Sequence, residues 1–345
     1  MATYDKLFEA TGLENWCNSG VEGAAEKPMT MAELMAQASG NAPETSILDL
    51  PFPSLDALNK SCDAVPRSRD MTEGVEQGFL ALKDPLKVVL DPLTQPLSWM
   101  LDAALDTFQA VPWFIMIPLL VALTWFASRK VGVTVLVAAT FVFMAFIDFY
   151  HDAIQTLSIV FVCTIISVAL GVPIGIAMSR SNTLQRMAIP VLDMLQTLPT
   201  FVYLIPLIYL FSVTESKLYG IAIILYAIVP VIRLTDLGIR LVDKDVIEAA
   251  DAFGMSKRQK LWGVQVPLAL PNIMAGINQT IMMSLAMVVI ASLVSAPGLG
   301  VKVLAGIRNL ELGVGLVAGF CIVLLAVVLD RSTKAALGRI DSSAR

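Results

Sequence analysis

The sequence predicts an all-α integral membrane protein of about seven transmembrane helices with an acidic N-terminal tail. Three observations carry that prediction. The 345-residue chain is 56% hydrophobic and 15% charged, with a mean hydropathy of +0.73, whereas soluble domains are about 45–50% apolar and about 25% charged. Seven apolar runs follow one another, each close to the ~20 residues that a bilayer-crossing helix needs. The charge is also divided unevenly. Residues 1–110 hold 7 Lys and Arg against 17 Asp and Glu, a balance of −10, while residues 111–345 hold 17 against 12, a balance of +5.

The same composition excludes several chemistries. A single histidine, His151, allows no His-based metal cluster or His-to-His proton relay. Cys17, Cys62, Cys163 and Cys321 are too scattered for a zinc or iron–sulfur spacing. No GxxxxGK[ST] stretch occurs, so the chain has no phosphate-cradling loop of its own. No metal, resident cofactor, catalytic set or nucleic-acid partner is expected, and energy for any work must come from elsewhere.

Residues 1–95 are expected to form an acidic, poorly structured tail, rich through about residue 85 in Glu, Ser, Asn, Pro and Gly. The first 30 residues lack a basic start followed by an apolar core, so no cleavable signal peptide is expected. Over 96–110, Leu97, Met100, Leu101, Leu105 and Phe108 recur at helical spacing, with Ser98, Asp102 and Asp106 opposite and Pro96 suited to a first turn. This is an amphipathic helix, lying either on the lipid surface or against the transmembrane body.

The transmembrane domain, 111–345, contains the apolar runs 111–128, 131–147, 153–178, 189–213, 218–234, 277–296 and 312–329. Alternate connections hold 14 Lys and Arg, among them Arg129, Lys130, Arg180, Arg186, Arg233, Arg240 and Lys260. The opposite connections hold three: Lys217, Lys302 and Arg308. The positive-inside rule puts the richer set in the cytoplasm. With seven spans the C-terminus is then cytoplasmic and the acidic N-terminal tail is outside, in an oxidising space where Cys17 and Cys62 could pair.

The long connection 235–271 has explicit local chemistry. Asp243 or Asp245 is placed to cap a short helix through Phe253, and Gly254 to end it in a left-handed conformation. Ser256 with Gln259 forms a capping box for a second helix. Ala249, Ala250 and Ala252 leave a slim surface for another protein, and Pro267 and Pro271 are expected to stop regular structure before the chain re-enters the membrane. The expected shape is a short knob on the cytoplasmic face.

Glu248-Ala249-Ala250, three residues, Gly254, nine residues, then Val264-Gln265-Val266-Pro267 matches EAA-x3-G-x9-I-x-L-P, with valines where Ile and Leu are usual. On these residues the chain resembles the permease subunits of ATP-binding-cassette (ABC) importers. Gln265–Gly300, 170–181 (LGVPIGIAMSRS) and 192–206 (LDMLQTLPTFVYLIP) are similar to the glycine betaine/proline betaine branch. The likeness extends over about 153–335. It implies a type I importer permease fold in the bacterial inner membrane. It also implies a homodimer, two cytoplasmic ATPases holding Mg-ATP, and an external substrate-binding protein. Glu248, Ala249, Ala250, Gly254 and Pro267 would belong to the ATPase-coupling loop.

Polar groups within lipid are costly and therefore of interest. Asp193, Gln196 and Thr197 fall at i, i+3 and i+4 of the fourth span, and Asn278 opens the sixth with Gln279 and Thr280. The first three either line the pathway or pair with a neighbouring helix, with Asp193 also placed to reach the interface, and the second three either line the pathway or cap their span at the interface. Phe201, Tyr203 and Tyr209 offer aromatic faces to a methylated ammonium, and Tyr203 is taken as a pathway residue. An ion-coupled secondary transporter or channel is the alternative, but charges cluster at span ends and no two-fold repeat is visible. A membrane-embedded enzyme lacks any visible nucleophile–base or metal-ligand set.

Overall fold

The computed structural model describes Gly12, Cys17 and residues 52–62 and 64–343, and every described regular element is a helix. The remaining residues of the expected tail lie outside the described ones. Two compact units divide the chain, residues 1–85 and 86–345.

In the first unit, Ser54 caps α1 (Leu55–Ser61) by accepting from the Ala57 amide at 3.3 Å. Asp56 accepts from the Ser68 amide at 2.9 Å and its hydroxyl at 2.8 Å, fixing the start of α2 (Ser68–Ala110). Cys17 and Cys62 are joined in a disulfide that closes a 45-residue separation.

Helix α2 differs from the amphipathic helix expected over 96–110, being continuous from Ser68 through Pro85, Pro92 and Pro96. The apolar recurrence continues upstream of Pro96 through Leu93, Leu90, Leu86, Leu82 and Phe79, and each proline removes one donor without removing that stripe. Ser98 also differs from its expected polar-side placement: it is buried with Leu101 and Leu105. This end of α2 packs on the transmembrane body, Leu101 and Leu97 lying over Gly220 and the Phe108 ring 6.0 Å from Phe161.

The second unit continues with α3 (Trp113–Ser128) and α4 (Val131–Phe146), joined at Arg129 in a left-handed conformation. Next come α5 (Tyr150–Arg180), α6 (Asn182–Thr197), α7 (Leu204–Leu210) and α8 (Ser216–Arg240). The chain ends with α9 (Lys244–Ala252), α10 (Lys257–Lys260), α11 (Val266–Ala291), α12 (Leu299–Arg308) and α13 (Leu312–Ser343). Four continuous helical stretches, 150–180, 216–240, 257–294 and 312–336, are long and apolar enough to cross a bilayer. Two bent pairs, α2 with α3 (110°) and α6 with α7 (105°), and the shorter α4 account for the other apolar runs.

Two expectations for these spans are corrected. The run 189–213 is not one helix. Leu198 precedes Pro199 and is held extended (φ −63°, ψ 133°), so α6 stops, a 3₁₀ turn follows at Thr200–Tyr203, and α7 leaves at a new angle. Nor do Pro267 and Pro271 interrupt structure. A π-helical turn over Leu261–Gln265 leads into α11, Pro267 occupies its first turn, where a missing N–H is harmless, and Pro271 is carried inside it.

Helix α8 runs between α5 and α11 and is the most buried of the spans. Gly175 and Gly276 are two points where the α8 backbone itself is approached closely. A Cβ on Gly175 would lie 2.6 Å from the Ile232 carbonyl oxygen and from Thr235 Cβ, and one on Gly276 would lie 3.0 Å from Val231 Cα. Small residues at helix crossings are how membrane helices gain packing energy where lipid is as apolar as leucine. Gly175→Val should therefore cost about 1–3 kcal/mol and lower the melting temperature in detergent. Gly132→Ala, where nothing lies within 4 Å of the added carbon, should leave it unchanged.

Candidate coupling loop and pathway face

The loop after α8 is built by its own caps. Asp243 accepts from the Asp245 amide at 3.0 Å and starts α9. At the far end the Met255 amide donates to the Ala250 carbonyl (3.1 Å) and the Gly254 amide to Asp251 (2.9 Å), the paired bonds of a Schellman ending. Gly254 has φ +74°, the left-handed geometry that this ending requires. Ser256 and Gln259 form the reciprocal capping box, and Lys260 reaches back to Asp251 at 2.6 Å, tying α9 to the base of α10.

On this short helix Glu248 and Ala249 are exposed, as is Pro267 beyond it. Ala250 is buried and faces the chain's own interior, a correction to its expected place on the open surface. The exposed surface is more apolar than the alanines alone suggest: Phe253 is 85% exposed, and Val246, Met255 and Trp262 are exposed as well. Sequence reading used Phe253 only as a helix end. Its position beside a glycine stop, with only the small Ala250 and Ala249 at i−3 and i−4, was the available signal.

A second feature is long-range. Arg240, in the last turn of α8, donates to Asp236 Oδ1 (2.8 Å), to Asn182 Oδ1 (2.8 Å) and to the Met178 carbonyl (2.7 Å). Gln185 donates to the other Asp236 oxygen at 2.7 Å. The Asp236 carboxylate is buried, so this cluster joins the end of α5, the start of α6 and the end of α8 three residues before the cap of α9. The i, i+4 spacing of Asp236 and Arg240 was its one visible trace.

The expected pathway residues separate. Asp193 forms an ion pair with Arg233 of α8, and Gln196 and Thr197 stand exposed beside it at the end of α6. Tyr203 is elsewhere engaged: it is buried, and its hydroxyl donates to the Leu195 carbonyl, bridging the break between α6 and α7. Asn278 donates to Asp330 at 2.9 Å, tying α11 to α13. At the opposite end of α8, Lys217 is buried against Asp91 and Glu215, each at 2.8 Å, with the Phe211 ring at 5.2 Å. Among the described residues, no three His, Cys, Asp or Glu side chains converge where a metal could sit.

Residues 167–342 match the family described as the binding-protein-dependent transport system inner membrane component. The chain belongs to that family. It is 41% identical over 247 residues to the glycine betaine/carnitine transport permease protein GbuB of Listeria monocytogenes, covering 70% of this chain and 87% of that protein. It is 37% identical over 295 residues to the glycine betaine/proline betaine transport system permease protein ProW of Escherichia coli, covering 85% and 80%. Among solved structures it is similar to a chain of the MetNI methionine ABC transporter in inward-facing conformations, with TM-score 0.48 and 20% identity over 55% of this chain and 95% of that one. By its family and its apolar helices the protein is a multi-pass component of the inner membrane.

Removing the Arg240 guanidinium would leave the buried Asp236 carboxylate with Gln185 as its remaining partner in the cluster. Arg240→Ala is expected to cost about 3 kcal/mol, read as a lower melting temperature of the purified protein. Arg240→Lys, which keeps the charge but not the fork to Asn182 and Met178, should lose less.

Proposed function

We propose that this chain is the translocating subunit of an ATP-driven importer for betaine-like quaternary-ammonium solutes and acts without catalytic chemistry of its own. The single observation that carries the reading is the EAA helix α9. It is capped at both ends, has Glu248 and Ala249 exposed, and lies in a chain 41% identical to a glycine betaine/carnitine permease over 87% of that relative's length. Two copies would form the pathway, two ATPases would hold Mg-ATP and dock on the two α9 knobs, and an external binding protein would deliver the solute. Closure of the ATPases then moves α9, and with it α8 and α11, to switch access between the two faces.

The orientation follows the basic residues: α9, α10 and the C-terminus in the cytoplasm, the tail outside. The Cys17–Cys62 disulfide supports this placement, because such bonds persist in oxidising compartments. Protein purified without reductant should give one mass-spectrometric peptide pair linked through Cys17 and Cys62, and free thiols at both would contradict an exported tail.

The transport test is reconstitution with the ATPase and binding protein. ATP-dependent uptake of glycine betaine is expected, and uptake by the chain alone on an ion gradient would instead favour a secondary transporter. Gly254→Asp places a side chain at φ +74°, straining the stop of α9 by about 1–2 kcal/mol. It should insert normally yet transport at least about tenfold more slowly. Normal uptake would contradict the role of α9.

A further inference from the structure

We propose that Ser167 of α5 and Thr280 of α11 are the two halves of a hydrogen-bonded rung that stands open in this structure and closes in the importer's other access state. The proposal rests on the importer reading above and adds to it an interior contact by which the two states differ.

The register of α5 against α11 is set by three contacts. The Leu299 amide, just beyond the end of α11, donates to Thr156 near the start of α5. Thr164 donates to Ser284 at 3.4 Å. Val172 and Ile176, toward the end of α5, pack against the cluster that holds Ala269 and Ile273 of α11. The two helices are therefore antiparallel. One turn along from the Thr164–Ser284 bond, Ser167 (i+3) stands level with Thr280 (i−4).

Both side chains are fully buried, and neither hydroxyl has a hydrogen-bond partner. Elsewhere in the apolar helices such hydroxyls are satisfied by the carbonyl four residues back, as at Thr124, Ser128, Thr156 and Thr333. Among the described residues Thr280 is the one buried hydroxyl of α11 without a partner, and it falls level with a partnerless hydroxyl of α5. A donor buried and left unpaired is held at a cost. Two of them at one level of one interface mark a bond that another arrangement of the helices makes.

The element that keeps the rung open lies one turn further on. Gly171 follows Ser167 by four residues, and Gly276 precedes Thr280 by four. Both meet the same buried residue of α8, Val231: a Cβ on Gly171 would collide with Val231 Cγ1, and one on Gly276 would lie 3.0 Å from Val231 Cα. Helix α8 is thus a wedge between α5 and α11 directly beside the open rung, and the closed Thr164–Ser284 rung is one turn further from it. The wedge ends at the Arg240 cluster, next to the coupling loop. Withdrawal of α8 as that loop moves lets α11 close on α5 about the Thr164–Ser284 bond and brings the two hydroxyls together. The new bond offsets part of the packing given up on α8. Two arrangements of similar free energy result, and nucleotide and solute can select between them.

The test is a cycle of variants. Ser167→Ala and Thr280→Val each remove one hydroxyl with little change of volume. Each variant, and the two combined, is reconstituted with the ATPase and binding protein and assayed for ATP-driven uptake of radiolabelled glycine betaine, beside the melting temperature of the purified chain. Because the hydroxyls are unpaired in this structure, no variant should melt below wild type. Loss of the bond weakens one of the two access states, so each single variant should transport at least about threefold more slowly. The double variant should be no slower than the singles, since losing either partner already breaks the bond. Thr280→Ser, which keeps the hydroxyl, should transport as wild type does. Wild-type uptake in the single variants, losses that multiply in the double variant, or a loss in Thr280→Ser equal to that in Thr280→Val would overturn the rung and leave the importer reading standing. Lower melting temperatures in both single variants would show the hydroxyls already bonded and overturn it as well. Absence of ATP-driven uptake in the wild-type complex would instead overturn the importer reading, and the rung with it.

Discussion

Helix α8 lies between α5 and α11 because glycines stand where its backbone meets theirs, and the rest of the body is arranged around that contact. Gly175 and Gly276 both admit the α8 backbone closely, Gly175 at a distance no side chain would allow and Gly276 at one a side chain would crowd. Within lipid, apolar surface alone does not draw helices together, so this close approach supplies the packing that holds the core. Both ends of α8 are then tied by charge. Lys217 is held between Asp91 and Glu215 at one end, and Arg240 gathers Asp236, Asn182 and the Met178 carbonyl at the other. One helix thus meets the N-terminal α2, the central core and the stem of the coupling loop.

That arrangement gives the loop something to act on. Helix α9 follows α8 after three residues and leans on α10 through Lys260 and Asp251. The Arg240 cluster also ties the base of α8 to the start of α6, the helix that carries Asp193 and stops at the break before Pro199. Movement of the knob therefore has a bonded route to the bent pair α6–α7. The family to which the chain belongs uses separate proteins for energy and for solute capture, and this chain's own equipment is consistent with that division.

How much of this was legible depended on the range of the interactions. Features set within four or five residues were readable: the Asp243 cap, the Ser256–Gln259 box and the glycine stop at 254 are all used as their sequence suggests. Proline was read less well, because its consequence depends on its neighbours. Pro199 ends a helix by holding Leu198 extended, whereas Pro267 falls in the first turn of α11 and Pro271 is carried inside it, after a π turn that no local pattern announces. Contacts whose partners lie eight to 62 residues away were invisible. Arg240 was counted only as a charge marking a membrane face, although it binds Asn182 and Met178. Asn278 and Tyr203 were noticed for their polarity, but their partners, Asp330 and the Leu195 carbonyl, decide what they do.

The π turn at Leu261–Gln265 has a mechanical consequence. Because it joins α10 to α11 without a break, residues 257–294 form a single helical stretch of roughly 57 Å at helical rise. Lys260, which grips α9, is at one extremity, and the turn leading to Gly298 is just beyond the other. A lever arm of that length converts each degree of tilt at its base into about 1 Å of travel at its tip. At the tip, the Leu299 amide donates to Thr156 of α5 at 2.9 Å. Small rotations on one side of the membrane can thus be felt as whole-residue displacements on the other.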